Sequence, residues 1–188
     1  MPGEKQATPI RDAAVLRALA HPARLALLEH LGHSGPATAT ECAGVVDLSP
    51  SAVSYHLRAL AKVGLVEAAP GRGDGRERRW RRTAERYQVE SVAGLDPEVR
   101  EATRALLESL LAWDETRARR YLAQVGDEPK AWQDAAFFMD TTLLVTATEL
   151  SALSDAMDEL LGPYRKGSRA DPPAGARAVS AAIRAFPA

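Results

Sequence analysis

Apolar residues recur at helical spacing almost from the start of the chain. Ile10, Ala14, Leu16, Leu19 and Ala20, then Leu25, Leu27, Leu28 and Leu31, stand three and four positions apart, a period that predicts helix. His21-Pro22 breaks the run, because proline suits a first helical turn and restricts the residue before it. Two helices are therefore expected, over 10–20 and 22–32, behind a polar tail that ends at Pro9. Gly32 to Ala37 is a turn by composition. Thr38 and Glu41 have capping-box spacing and open a short helix over 39–46. After the tight connection Asp47-Leu48, Ser49-Pro50 offers an N-cap residue followed by proline at the first helical position. The helix that follows runs to about Val63, with Val53, Leu57 and Leu60 as its inward stripe and Ser51, Ser54, Tyr55 and Arg58 opposite.

Gly64 stops that helix. Residues 65–68 read as a short strand, 70–75 as a hairpin tip, and 77–82 as a returning strand that carries Trp80. Beyond Ala84 the pattern is helical over 97–125 and again over 137–161, with Gly126 to Pro129 between them. Gly162-Pro163 ends the second long helix, and a linker leads to a last segment over 174–186. The expected fold is mainly α: a winged helix-turn-helix with a short β-hairpin wing over 10–88, a long-helix C-terminal dimerisation region over 96–162, and a linker with a short C-terminal segment over 163–188.

Composition adds exclusions. With 46% hydrophobic and 26% charged residues, the chain has the make-up of an ordinary folded protein. It has no apolar run near the roughly 18–20 residues that cross a bilayer, and its first ten residues lack the apolar core of a signal peptide, so a cytoplasmic location is expected. Cys42 is the single cysteine and cannot form an internal disulfide or a thiolate cage alone. His21, His30, His33 and His56 are dispersed and supply no close ligand grouping. The chain lacks GxSxG, HExxH and a glycine-rich phosphate loop between strand and helix. No enzyme activity, cofactor or metal is expected.

The net charge of −1 hides an asymmetry: residues 1–90 carry 13 Lys/Arg against 10 Asp/Glu, and residues 91–188 carry 11 against 15. Between 58 and 82 eight basic residues face three acidic ones. Such a local patch, and not the total, governs attraction to a polyanion. In a helix-turn-helix the second helix enters the major groove and the wing grips phosphates. Ser51, Ser54, Tyr55, His56 and Arg58 are hydrogen-bonding side chains within two turns of a capped N-terminus, suited to base edges and phosphate. Ser51 can instead serve the cap, and His56 can instead pack beside Leu57. In the wing, Arg72, Arg76, Arg78 and Arg79 are the candidate phosphate or minor-groove contacts, since like charges across a ladder repel and an anionic partner would relieve them.

The stretches LRALAHPARLALLEHL and LSPSAVSYHLRALAKVGLVEAAPGRGDGRERRWRRT resemble the ArsR/SmtB-like family of winged helix-turn-helix repressors over roughly residues 11–86. His21-Pro22 with Arg24, Ser49 through Leu57, Gly64-Leu65-Val66 and the arginine-rich wing occur in the family's order. The resemblance implies a homodimeric transcription regulator that binds a palindromic operator on double-stranded DNA and leaves it when an effector binds. It places Ser51, Ser54, Tyr55, His56 and Arg58 on the DNA-reading helix. Metal-sensing members carry paired cysteines before that helix, where this chain has Thr40-Glu41-Cys42-Ala43, so metal control is not expected. The remaining residues after Thr83 are read as dimerising helices, with a small-molecule effector pocket lined by Trp113, Tyr121, Trp132, Phe137, Phe138 and Met139 as the sharper alternative. The competing function is a winged-helix protein-interaction module whose basic wing grips an acidic partner.

Overall fold

A computed structural model describes residues 8–10, 12–70, 78–84, 87–89, 96–165, 169 and 171–187. The chain divides into two compact units, Met1–Arg117 and Ala118–Ala188.

In the first unit α1 spans Ala13–Leu19 and α2 Pro22–Ser34, followed by α3 (Ala39–Val46) and α4 (Pro50–Lys62). The expected start of α1 at residue 10 is corrected: Ile10 belongs to β1 (Thr8–Ile10), and α1 begins only after Asp12, whose carboxylate accepts the Ala14 amide at 2.7 Å. Asp12 is the better N-cap, so local capping overrides the apolar period there. His21 caps α2 through its ring, with Nδ1 accepting the Ala23 amide at 3.2 Å. Both expected caps further on are present. Thr38 and Glu41 form a reciprocal capping box on α3, and Ser49 Oγ accepts the Ala52 amide at 3.3 Å on α4. Between them Asp47 takes a left-handed conformation at φ 53°, which turns the chain sharply from α3 into α4.

The wing has three strands where two were expected. β2 (Ala37–Thr38), β4 (Arg79–Arg82) and β3 (Val66–Ala68) form an antiparallel sheet in the order β2-β4-β3. A further strand, β5 (Tyr87–Val89), pairs in parallel with β1, Ile10 opposite Val89. Arg81 faces Glu67 across β3 and β4 and pairs with it at 2.7 Å. The wing's cations are thus partly compensated within the sheet, so repulsion between them calls less strongly for an outside partner than expected. Thr83 Oγ1 donates to the Gly64 carbonyl at 2.7 Å and closes the base of the hairpin.

The core gathers Leu16, Leu19, Leu27, Leu28 and Leu31 from α1 and α2, Val53, Leu57 and Leu60 from α4, and Leu65, Val66 and Trp80 from the wing. The long helix α5 (Pro97–Gln124) contributes Ala102 and Leu106. Trp113 Nε1 and Arg117 Nη1 both donate to the Glu29 carboxylate, each at 3.0 Å, and tie α5 to α2.

The second unit continues α5 into a 3-10 turn (Val125–Asp127), α6 (Lys130–Ala135), α7 (Ala147–Leu161) and a second 3-10 turn (Gly162–Tyr164). The helix expected over 137–161 is shorter: α7 starts at a Thr146/Glu149 capping box, and 136–146 has no regular structure. Asp140, Thr141 and Thr142 interrupt the apolar pattern ahead of that cap, and threonine and aspartate are weak helix formers. Arg177 pairs with both carboxylate oxygens of Glu128, at 2.6 and 3.0 Å, and covers the Trp132 ring.

Leu57→Ala is expected to destabilise the first unit by about 2–5 kcal/mol, and Thr38→Ala by about 1 kcal/mol. Urea-denaturation midpoints check both. A larger loss from the cap than from the core residue would contradict the α4 stripe as the anchor of the unit.

Candidate nucleic-acid interface

The capped start of α4 and the end of the wing border one cleft of about 430 Å³, lined by Ala39, Thr40, Pro50, Ser54, Arg58, Arg78 and Trp80. Complete burial of Val53, Leu57 and Leu60 fixes the rotation of α4. Helical periodicity then turns the opposite face outward.

Three of the expected site residues, Ser54, Arg58 and Arg78, meet at this cleft. Arg58 Nε donates to the Ser54 carbonyl one turn back at 3.0 Å. Arg78 lies over the Trp80 ring at 5.2 Å from the centroid. A guanidinium on an indole face is held by cation–π attraction while its N–H groups stay directed at solvent. Tyr55 is 64% exposed on the same helix. Ser51 is exposed and stands 3.0 Å, oxygen to oxygen, from Ser49 Oγ, so its hydroxyl supports the cap. Arg72 and Arg76 lie outside the described residues.

Arg79 and His56 are engaged with the fold itself. The Arg79 guanidinium donates to the Pro36 carbonyl and stands 3.8 Å from Glu41, joining β4 to the turn before α3. Alternation along a strand explains the division: Arg79 and Arg81 point to one face, Arg78 and Trp80 to the other. His56 packs its ring on His21, centroids 4.7 Å apart, and sets its edge to Tyr55 at 5.5 Å. Its Nδ1 is buried without a hydrogen-bond partner. Burial lowers the pKa of both histidines, and Arg24 adds to the effect on each, as does His21 on His56.

Thr40 and Trp80 also border the cleft, although sequence reasoning did not assign them to it. Thr40 lies inside the capping box, one residue before Glu41, and that offset is the signal that could have found it. Glu41 is held below the ordinary carboxylate range chiefly by the Thr38 amide, with Arg79 assisting. Burial pushes the Cys42 thiol up to about 11, which leaves it an inert core group. Among the described residues, no group of three metal-ligating side chains converges and no helix is long and apolar enough to cross a membrane. Of the aromatic residues expected around an effector, Trp113 is bonded to Glu29 within the first unit. In the second, Tyr121 lies 6.3 Å from Phe138, and Phe137 and Met139 are exposed.

Parts of the chain are similar to known proteins. Residues 19–68 match the profile of the helix-turn-helix domain family. A segment of 54 residues, 29% of this chain and 44% of the relative, is 44% identical to the HTH-type transcriptional regulator NmtR of Mycobacterium tuberculosis. The chain thus spans less than half the length of that curated relative. Among solved structures, a possible transcriptional regulator for arsenical resistance is 32% identical, covering 56% of this chain and 95% of that one at a TM-score of 0.33. An apo mutant of ZitR from Lactococcus lactis is 16% identical, covering 78% and 83% at a TM-score of 0.32.

The histidine pair generates a pH dependence. Both folded-state pKa values lie below the ordinary 6.5, so the unfolded chain takes up protons first as pH falls. The stability they contribute is present above about pH 6.5 and is lost as pH drops toward and through the lowered folded values. Melting temperature is expected to fall between about pH 7.5 and 5.5, with a shallower fall in His56→Gln. Equal slopes in the two proteins would remove His56 from the account.

Proposed function

We propose that this chain, whose residues 19–68 match the helix-turn-helix domain family, is an ArsR/SmtB-like winged helix-turn-helix regulator that acts as a homodimeric repressor on an inverted-repeat operator in double-stranded DNA. The observation that carries this is the convergence of Ser54, Arg58 and Arg78 on one open cleft between a capped recognition helix and the wing. A phosphate fits the chemistry of the two guanidinium groups. The exposed Tyr55, with Ser51 and Ser54, faces where base edges would pass when α4 enters the major groove. Arg72 and Arg76, which lie outside the described residues, are proposed as further phosphate contacts. Arg79 and His56 act from behind as positioning residues, Arg79 by fastening β4 to the turn before α3, and His56 by seating α4 on His21.

In this reading residues 10–88 are the DNA-binding domain and 96–162 the dimerisation region of a cytoplasmic regulator, with 163–188 as linker and terminal segment. A two-fold dimer is needed because two recognition helices must sit one DNA turn apart to read an inverted repeat. Occupation of the promoter then blocks access to it. An effector that releases the operator would act through the second unit, where Tyr121, Trp132 and Phe138 supply aromatic surface.

Selection from a random duplex library is expected to enrich an inverted repeat. On that site Arg58→Ala and Arg78→Ala should each weaken binding by roughly tenfold, about 1.4 kcal/mol. Each should also make binding less sensitive to salt, the slope of log affinity against log salt falling by about 0.9 for every phosphate that is no longer neutralised. Fluorescence anisotropy across a salt series measures both. Unchanged affinity and slope in both variants would remove the cleft from the DNA face. Failure to enrich any sequence would favour an acidic protein as the partner of the basic wing.

A further inference from the structure

Residues 137–145 join α6 to α7 as Phe-Phe-Met-Asp-Thr-Thr-Leu-Leu-Val without regular structure, and all nine are exposed. Phe137, Phe138 and Met139 are 81%, 69% and 80% exposed, and Leu144 is fully so. Among the described residues, none of their backbone amides donates to another backbone group. Two demands therefore coincide on one segment. Its amides and carbonyls need partners, which water supplies, and its apolar side chains need cover, which water does not. Docking a helix on the segment would meet only the second demand. A paired strand gives the amides and carbonyls partners and sets apolar side chains beside one another across the pair.

The order of residues indicates which strand. Polarity is symmetric about Thr141, with three apolar residues, Asp140-Thr141-Thr142, then three apolar residues. Laid antiparallel on itself across a two-fold axis through Thr141, the segment sets Phe137 opposite Val145, Phe138 opposite Leu144 and Met139 opposite Leu143. Asp140 falls opposite Thr142, and Thr141 opposite its own counterpart. A two-residue slip one way would bring the two Asp140 carboxylates face to face, and a two-residue slip the other way would set Asp140 against Leu144. Aromatic–β-branched and Thr–Thr pairs are favourable across strands and like charges are not, so the register centred on Thr141 is favoured over both of these slips.

We propose that residues 137–145 pair antiparallel with the same residues of a second copy of this chain, in the register centred on Thr141. This rests on the homodimer reading above and specifies one of its contacts. A two-stranded ribbon alone is marginal in water, so it adds to packing of the long helices and does not replace it.

Thr141→Cys in the full-length chain tests the register, because Cys42 is buried with a thiol pushed up to about 11 and stays unreactive. Ala136→Cys is the control, since antiparallel pairing would hold its two copies roughly 33 Å apart. Under mild oxidation with diamide, Thr141→Cys is expected to form a covalent dimer at least tenfold faster than Ala136→Cys. In the wild-type protein at dimer-forming concentration, hydrogen exchange is expected to show slowed amides across 137–145 that become fast on dilution to monomer. Sedimentation velocity on the same samples separates the failures. A dimer in which either the cross-linking advantage or the concentration-dependent protection is missing overturns the strand pairing alone. A monomer at every concentration, with or without operator duplex, overturns the homodimer reading and this inference with it.

Discussion

The outward face of α4 depends on the burial of one stripe, Val53, Leu57 and Leu60, each with no exposed surface. A helix has one free rotation about its axis, and an apolar stripe pressed into a core removes it. Once it is removed, Ser54, Tyr55 and Arg58 have no choice of direction. The two ends of α4 are set separately, by the Ser49 cap and by the turn at Gly64, whose φ of 75° suits glycine. Packing energy thus sets the orientation of the polar face of α4.

The wing divides its residues in the same way through a different period. Arg78 to Arg82 is five residues of nearly unbroken positive charge around Trp80, which taken as composition is a single basic patch. Strand alternation splits it. Trp80 is buried as the wing's contribution to the core, and Arg78 rests on its ring. Arg79 and Arg81 turn to the other face and meet Glu41 and Glu67. Exposed pairs of this kind add little stability, but they hold β4 in place beside the turn before α3 and beside β3. Of the described arginines in the run, Arg78 borders the cleft that α4 also lines.

How much of this is legible in the sequence follows from the range of the interactions involved. Caps are local, so Thr38/Glu41 and Ser49-Pro50 place α3 and α4 to within a residue. The apolar period is nearly as local, and it identifies the core stripe. Pairings between distant residues carry no such signal. The β2 and β5 strands are two and three residues long and exist because partners far along the chain fix them, so no local pattern announces either. The helical position of His56 allows it a place on the outer face of α4; its stacking on His21, 35 positions away, follows only from how α2 and α4 cross. At 137–145 the apolar content reads as helix, although the central Asp-Thr-Thr and the capping box at Thr146 argue for a later start.

The two units differ in how they satisfy their apolar residues, and that difference bears on assembly. The buried core of the described residues ends at Leu106; neither α6 nor α7 contains a buried residue. Yet α7 carries an apolar stripe, and Leu153 and Leu160 remain exposed on it, as do Leu111 and Leu122 on α5. A segment that leaves this much apolar surface in water forgoes the main favourable contribution to folding, while still losing the conformational entropy of becoming ordered. Ion pairs such as Arg177–Glu128 and Arg165–Asp158 are too exposed to make up the deficit. Cover from outside the chain would resolve it, and the proposed dimer would supply that cover, because a two-fold axis brings identical surfaces together.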